Sequence, residues 1–138
     1  MSFDDIFDAS FDRVQMPCGS RVSFFEAFYR HFLMSSPEVR ILFRNTDMAV
    51  QRRMLKKSFF SLVSFYASGT VDDVLHKTAQ THSARQLNIQ PHLYDLWLEC
   101  LIDTVREFDP LFSDDVELAW RLILSSGITY MKFGYDHF

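Results

Sequence analysis

The sequence predicts an all-α fold, and three observations carry that expectation. Apolar residues recur at three- and four-residue steps along most of the chain, the period of helices with one buried face. Capping residues followed by acids mark repeated helix starts. The 138 residues include only four Gly and four Pro, too few for the many tight turns of a sandwich or barrel.

The elements follow in order. A short, weakly patterned first segment stops at Met16-Pro17-Cys18-Gly19. Ser20 is the expected N-cap of a helix over Arg21 to Ser35, where Phe24, Phe25, Phe28, Tyr29, Phe32 and Leu33 share a face. Ser36-Pro37-Glu38 is a second start, with a cap, a Pro at the first helical position and an acid in the first turn. It supports only a short helix, because Phe43-Arg44-Asn45-Thr46 reads as a connection. Thr46 or Asn45 then caps a long helix from about Asp47 to Ser68, and Gly69 stops it. Its apolar side is expected to hold Val50, Met54, Leu55, Phe59, Leu62, Val63 and Tyr66. Thr70 to Asp73, an Asp variant of the capping box, opens a helix running to about Arg85. Pro91 starts the next, which turns Leu93, Leu96, Trp97, Cys100, Leu101, Thr104, Val105 and Phe108 inward and ends at Asp109-Pro110. Ser113-Asp114-Asp115 puts negative charge at the positive end of the last helix. That helix buries Val116, Ala119, Trp120, Ile123, Leu124, Ile128, Met131 and Tyr135. The sum is about seven helices, two of them short, in one domain spanning residues 1–138.

Composition narrows the function. Hydrophobic residues at 48% and charged residues at 23% describe a globular chain, not a disordered one. Two Cys cannot make a disulfide framework or a four-Cys zinc site. A net charge of −4 disfavours sequence-independent nucleic-acid binding. No apolar run has the length of a membrane span, and the first residues are acidic where a signal peptide is basic. A soluble, cytoplasmic protein is the expectation. Nucleotide-binding glycine loops, a G-x-S-x-G elbow and H-E-x-x-H are all absent. So is C-x-x-C, which excludes thioether-linked haem but not haem held without a covalent bond. His76 and His82 lie six apart, so on one helix they diverge and make a poor shared metal site.

One ordered set is more specific. Phe28-Tyr29 is followed by Pro37-Glu38-Val39, by Phe43, by Gln51, by His82 and by Tyr94. Together with FYRHFLMSSPEVRILF (Phe28 to Phe43) and PHLYDLW (Pro91 to Trp97), this set resembles the globin family from about Ser20 to Phe138. Within the family the resemblance is to single-domain bacterial globins and to the haem domain of flavohaemoglobins. It implies a globin-like fold of about seven helices around a haem pocket, haem b (iron protoporphyrin IX) as cofactor, and O2, NO or CO as ligand. It implies His82 as the iron ligand, Tyr29 and Gln51 as distal polar residues, and Phe43 and Leu55 as ring contacts. Tyr94 matches a proximal-side tyrosine of a hydrogen-bonded group around the ligand. Two spacings depart from flavohaemoglobins: Phe43 to Gln51 is shorter, and His82 to Tyr94 is longer. No acidic partner for the proximal side is assigned near Ile128 to Tyr135.

These residue types suit that chemistry. Haem is a broad apolar disc that needs a cleft of aromatic and aliphatic side chains. Its iron needs one strong fifth ligand and an open sixth position. Thr78, one turn before His82, offers a backbone carbonyl to the other ring N–H, which would set the tautomer. A phenol and an amide can both donate to a ligand that gains negative charge. Trp97, one turn after Tyr94, is either a ring-edge contact or core. Arg44 and Arg85 are candidates for propionate pairs, against the default of solvated surface charge. The run Gln51-Arg52-Arg53 with Lys56-Lys57 reads as an exposed helical face. The resulting functional expectation is reversible binding of a diatomic gas, for oxygen storage, transport, scavenging or sensing. One alternative is an NO dioxygenase, or a weak peroxidase, served by an external reductase, since no flavin or nicotinamide module fits in 138 residues. Another is a haem-free interaction module with the same shape, against which the presence of His82 stands.

Overall fold

The computed structural model describes residues 2–16 and 22–138. Among them it has seven helices and no strand, as expected: α1 (Phe3–Gln15), α2 (Phe24–Ser35), α3 (Pro37–Leu42), α4 (Met48–Ser68), α5 (Asp73–His82), α6 (His92–Phe108) and α7 (Asp114–His137). No helix among the described residues is long and apolar enough to cross a membrane.

Side-chain caps fix most of the helix starts. Ser2 and Asp5 form a full capping box on α1, a helix longer than the weak patterning of its sequence suggests. Ser23 caps α2 by accepting from the Glu26 amide at 3.3 Å, so the helix begins later than expected; Ser20 lies outside the described residues. Ser36 and Pro37 start α3 as anticipated. Two caps differ from the sequence reading, and both move to a carboxylate. Asp47, not Asn45 or Thr46, accepts from the Ala49 and Val50 amides at 3.0 and 3.3 Å. Asp72, not Thr70, accepts from the Leu75 amide at 2.8 Å. An anionic acceptor satisfies the free amides and also meets the positive end of the helix dipole. Gly69 stops α4 at φ 70°, a left-handed conformation that costs glycine little.

α5 ends at His82, three residues before the expected Arg85. Ser83 turns extended, the Ala84 amide donates to the Tyr135 carbonyl of α7 at 2.8 Å, and Asn88 takes φ 54°. The chain is drawn toward α7 before another helical turn can form. α4 carries a second correction. Val50 and Met54, expected on its apolar side, are 40% and 57% exposed. At 100° per residue, Met54 stands a quarter-turn from Leu55 and Val50 further still. Leu55, Phe59 and Leu62 are buried, with Val63 and Tyr66 half-buried.

The core is aromatic and centres on Trp120 of α7. Its ring lies 4.7 Å from Phe7, 6.0 Å from Phe11, 6.0 Å from Phe24 and 6.3 Å from Phe59, centroid to centroid. The contacts are tilted or edge-on, as ring quadrupoles favour. From Phe59 the series continues to Trp97 at 6.1 Å and on to Phe28 at 5.8 Å. A Cβ at Gly127 would fall on the Cδ2 end of Leu62, so the Leu62 side chain packs into the space that glycine leaves where α7 meets α4.

Beside Trp120 sits a buried polar node. The Asp109 carboxylate, at the end of α6, accepts from Ser10 Oγ at 2.6 Å, from Arg13 Nε and Nη2 at 2.7 and 2.8 Å, and from the Leu111 amide at 2.9 Å. Trp120 Nε1 donates to Ser10 Oγ at 2.9 Å. Burial alone would raise the Asp109 carboxyl, but Arg13, Ser10 and the Leu111 amide outweigh it and hold it below the ordinary value. Asp109→Asn is therefore expected to cost about 2 kcal/mol, tempered because Arg13 keeps some contact with water. A depressed carboxyl contributes stability above its unfolded pKa of about 3.9 and loses it as pH falls through the lower folded value. Urea unfolding should thus show the gap between wild type and Asp109→Asn closing between about pH 5 and pH 2; a constant gap contradicts this account.

Candidate functional site

Two hydrogen-bonded pairs, each joining two helices, make the candidate site. The first couples α2 to α4. Tyr29 is buried on α2, and its hydroxyl oxygen accepts from Gln51 Nε2 at 3.1 Å. The Phe43 ring, just past α3, meets Tyr29 edge-on at 5.8 Å and Phe32 at 6.1 Å. Leu55, one turn after Gln51, is buried. Burial pushes the Tyr29 hydroxyl up to about 12, with Gln51 pulling slightly the other way, so the phenol keeps its proton at any physiological pH. With its oxygen occupied as an acceptor, its O–H remains available to donate. The second N–H of the Gln51 amide is available as well.

The second pair couples the end of α5 to the start of α6. His82 Nδ1 lies 3.2 Å from the Tyr94 hydroxyl, with the rings nearly parallel. Burial lowers the His82 pKa, keeping the imidazole neutral, and raises that of the Tyr94 phenol. Among the described residues, His82 Nε2 makes no hydrogen bond. No side-chain N or O sealed inside the described residues lacks a partner, so Nε2 has an accessible face. The two pairs meet through aromatic rings. Phe28, the neighbour of Tyr29, packs on Trp97, which stands one turn after Tyr94 on α6.

Thr78 does not take the place expected of it, and the two arginines keep the solvated positions that were their default. The Thr78 hydroxyl donates to the Val74 carbonyl of its own helix at 2.8 Å, and no bond joins Thr78 to the His82 ring; Tyr94 holds that position. Arg85 lies exposed in the turn after α5, and Arg44 is exposed after α3, neither in an ion pair among the described residues. No carboxylate hydrogen-bonds His82 or Tyr94, and Asp95 is taken by Lys132 at 2.6 Å. The clamp on the loop that follows His82 was not expected from the sequence. There the Tyr135 hydroxyl donates to Asn88 Oδ1 at 2.5 Å and accepts from Gln90 Nε2 at 2.9 Å. The available signal was Asn88, a residue type that tolerates the left-handed conformation it adopts.

The donor set says which metal chemistry suits this place. No group of three or more His, Cys, Asp or Glu among the described residues is placed to hold an ion, so the protein alone is not a cage. A single neutral imidazole, held at Nδ1 and open at Nε2, instead fits a metal whose other ligands arrive with it, as in a haem. Phe43, Leu55 and Trp97 supply apolar surface near the two pairs. A cavity of about 120 Å³ bounded by Phe7, Val63, Tyr66 and Ile123 shares no residue with them and is far too small for a porphyrin.

No family model and no curated protein matches the chain. Among solved structures, protein PA3967 of Pseudomonas aeruginosa, described as structurally highly homologous to a human hemoglobin, superposes with a TM-score of 0.87 and 36% identity, over 97% of this chain and 98% of that one.

The lowered His82 pKa has a consequence for the chain without added cofactor. Below about pH 6.5 the unfolded chain takes up a proton that folded His82 resists until its own lower pKa is passed. Stability should therefore be full above about pH 6.5 and decline as pH falls. His82→Gln should flatten that part of the urea-unfolding profile between about pH 7.5 and 5.5; an unaltered slope would place His82 in water.

Proposed function

The chain belongs to the globin family, and from that premise we propose that it is a haem protein binding O2 or another diatomic gas reversibly, with His82 as the iron ligand. The observation that carries the reading is the state of His82: neutral, held at Nδ1 by Tyr94 and open at Nε2. When bound, b-type haem would be held by His82 and would supply the iron chemistry that takes up a gas. The work of the protein is to hold and tune. The tautomer in which Nδ1–H donates to the Tyr94 oxygen leaves the lone pair of the ring on Nε2, as a metal requires. A neutral phenol is a weaker acceptor than a carboxylate, so His82 remains a less basic donor than in a His–Asp or His–Glu pair. Asn88, Gln90 and Tyr135 steady the loop behind it.

On the other side, Tyr29 and Gln51 are already joined, so little ordering is needed when they donate to a ligand that gains negative charge. Each bond contributes about 1 kcal/mol, or roughly tenfold in release rate. Slow release suits storage, scavenging or sensing in the cytoplasm more than bulk transport.

The deciding experiment is absorption spectroscopy of the haemin-reconstituted chain in ferric, ferrous and CO forms. A histidine-ligated ferrous spectrum that converts with CO, and is lost in His82→Ala, is the expected result. A chain that stays colourless with haemin ends the reading. Tyr29→Phe should raise the O2 release rate about tenfold. Because Tyr29 keeps its proton to about pH 12, the wild-type rate should be flat from pH 6 to 9. A rate that changes across that range, or that the substitution leaves untouched, removes Tyr29 from the role.

A further inference from the structure

Two imidazoles of α5 each meet a tyrosine from another helix. His82 with Tyr94 is one pair. In the other, six residues earlier, His76 Nδ1 lies 2.5 Å from the Tyr130 hydroxyl of α7. Both of these side chains are half-buried. The ring of Phe65 lies 5.8 Å from Tyr130, and that of Phe138 lies 5.5 Å from Tyr130 and 5.0 Å from His76. The Phe138 ring packs into the space that Gly134 leaves, beside Ala79. Among the described residues His76 Nε2 makes no hydrogen bond, and it is not sealed from water.

The five tyrosines of the chain differ in what stands beside the phenol oxygen. Tyr29 has the Gln51 amide, and Tyr135 donates to the Asn88 amide oxygen; neither amide is a base that takes up a proton. Tyr66 makes no side-chain hydrogen bond among the described residues. Tyr94 meets an imidazole, but burial sets His82 against gaining a proton. That leaves Tyr130 on His76. Burial raises the Tyr130 phenol above its ordinary value, so it holds its proton at neutral pH. A phenol that gives up an electron becomes a strong acid. A base already in hydrogen-bond contact therefore decides how readily the electron leaves.

We propose that Tyr130 is a redox-active tyrosine, which loses an electron to a one-electron oxidant while its proton passes to His76. The reacting tautomer carries its hydrogen on Nε2 and accepts the Tyr130 O–H at Nδ1. The O–H bond breaks and an N–H bond forms at Nδ1. The electron reduces the oxidant, and a neutral tyrosyl radical is left beside an imidazolium. His76 then releases its Nε2 proton to water. A reductant of the ascorbate class returns the electron, and a proton comes back through the same imidazole to restore the phenol. The pair thus holds one oxidising equivalent reversibly at the contact of α5 with α7. The inference goes beyond the haem reading and does not rest on it, since any oxidant of sufficient potential serves.

The test is flash oxidation of the full chain without haemin, with photogenerated ruthenium(III) tris-bipyridine as the oxidant. Electron paramagnetic resonance after rapid freezing reads the product. A tyrosyl radical signal should form, and ascorbate should erase it. Tyr130→Phe should remove most of that signal, whereas Tyr66→Phe should keep it. His76→Ala should slow its formation about tenfold or more, and added imidazole should restore the rate. Circular dichroism checks the fold of each variant. The proposal is overturned by the absence of a tyrosyl signal in wild type or by an undiminished signal in Tyr130→Phe. Formation at the wild-type rate in His76→Ala, or loss of the signal in Tyr66→Phe, overturns it too. So does a slowing that imidazole fails to restore, because that outcome marks a merely structural bond between the helices. No arm of the test contains haem, so failure here and failure of the haem reading are separate results.

Discussion

The buried carboxylate of Asp109 is the constraint around which the molecule is assembled. A charge taken out of water must find partners, and those of Asp109 come from three directions: Ser10 and Arg13 on α1, the Leu111 amide beyond α6, and Trp120 through Ser10. That requirement fixes α1 against the corner between α6 and α7. It also orients the Trp120 indole, about which the aromatic core is arranged. A hydrophobic core of this composition tolerates many packings; the polar node removes most of that freedom.

The candidate site takes its order from that core. Rings run from Trp120 through Phe59 and Trp97 to Phe28, and Phe28 is the neighbour of Tyr29. The hydroxyl of Tyr29 and the imidazole of His82 therefore sit at the margin of a rigid aromatic series, each already engaged by one partner from another helix. Such an arrangement presents polar groups in fixed directions without leaving buried ones unsatisfied. Trp97, one turn after Tyr94 on α6, belongs to this packing through Phe28 and Phe59.

The electrostatics divide the surface by use. Exposed pairs such as Arg121 with Glu99 and Lys132 with Asp95 bind α7 to α6 and add little energy individually. Arg52, Arg53, Lys56 and Lys57 of α4 form no ion pair among the described residues. Their repulsion is tolerated on a helix whose other side is well buried.

Much of this was legible in the sequence. The helix period, the caps and Gly69 revealed seven helices without any contact being known, because these are local effects of backbone geometry and side-chain shape. The resemblance singled out His82, Tyr29, Gln51, Phe43 and Tyr94, because an ordered spacing carries spatial information, and the structure brings Tyr29 to Gln51 and Phe43 and His82 to Tyr94. What only the tertiary structure decided was long-range. Ser10 and Arg13 meet Asp109 across ninety-nine and ninety-six residues, and no local pattern announces that. Tyr135 clamps a loop from another helix and so cuts α5 short at His82. Tyr94, not Thr78, partners the imidazole because the approach of α6 to α5 is set by packing. Val50 and Met54 face water although they are apolar, since hydrophobicity says that a side chain would gain from burial, while only the neighbouring helices decide whether there is anything to be buried against.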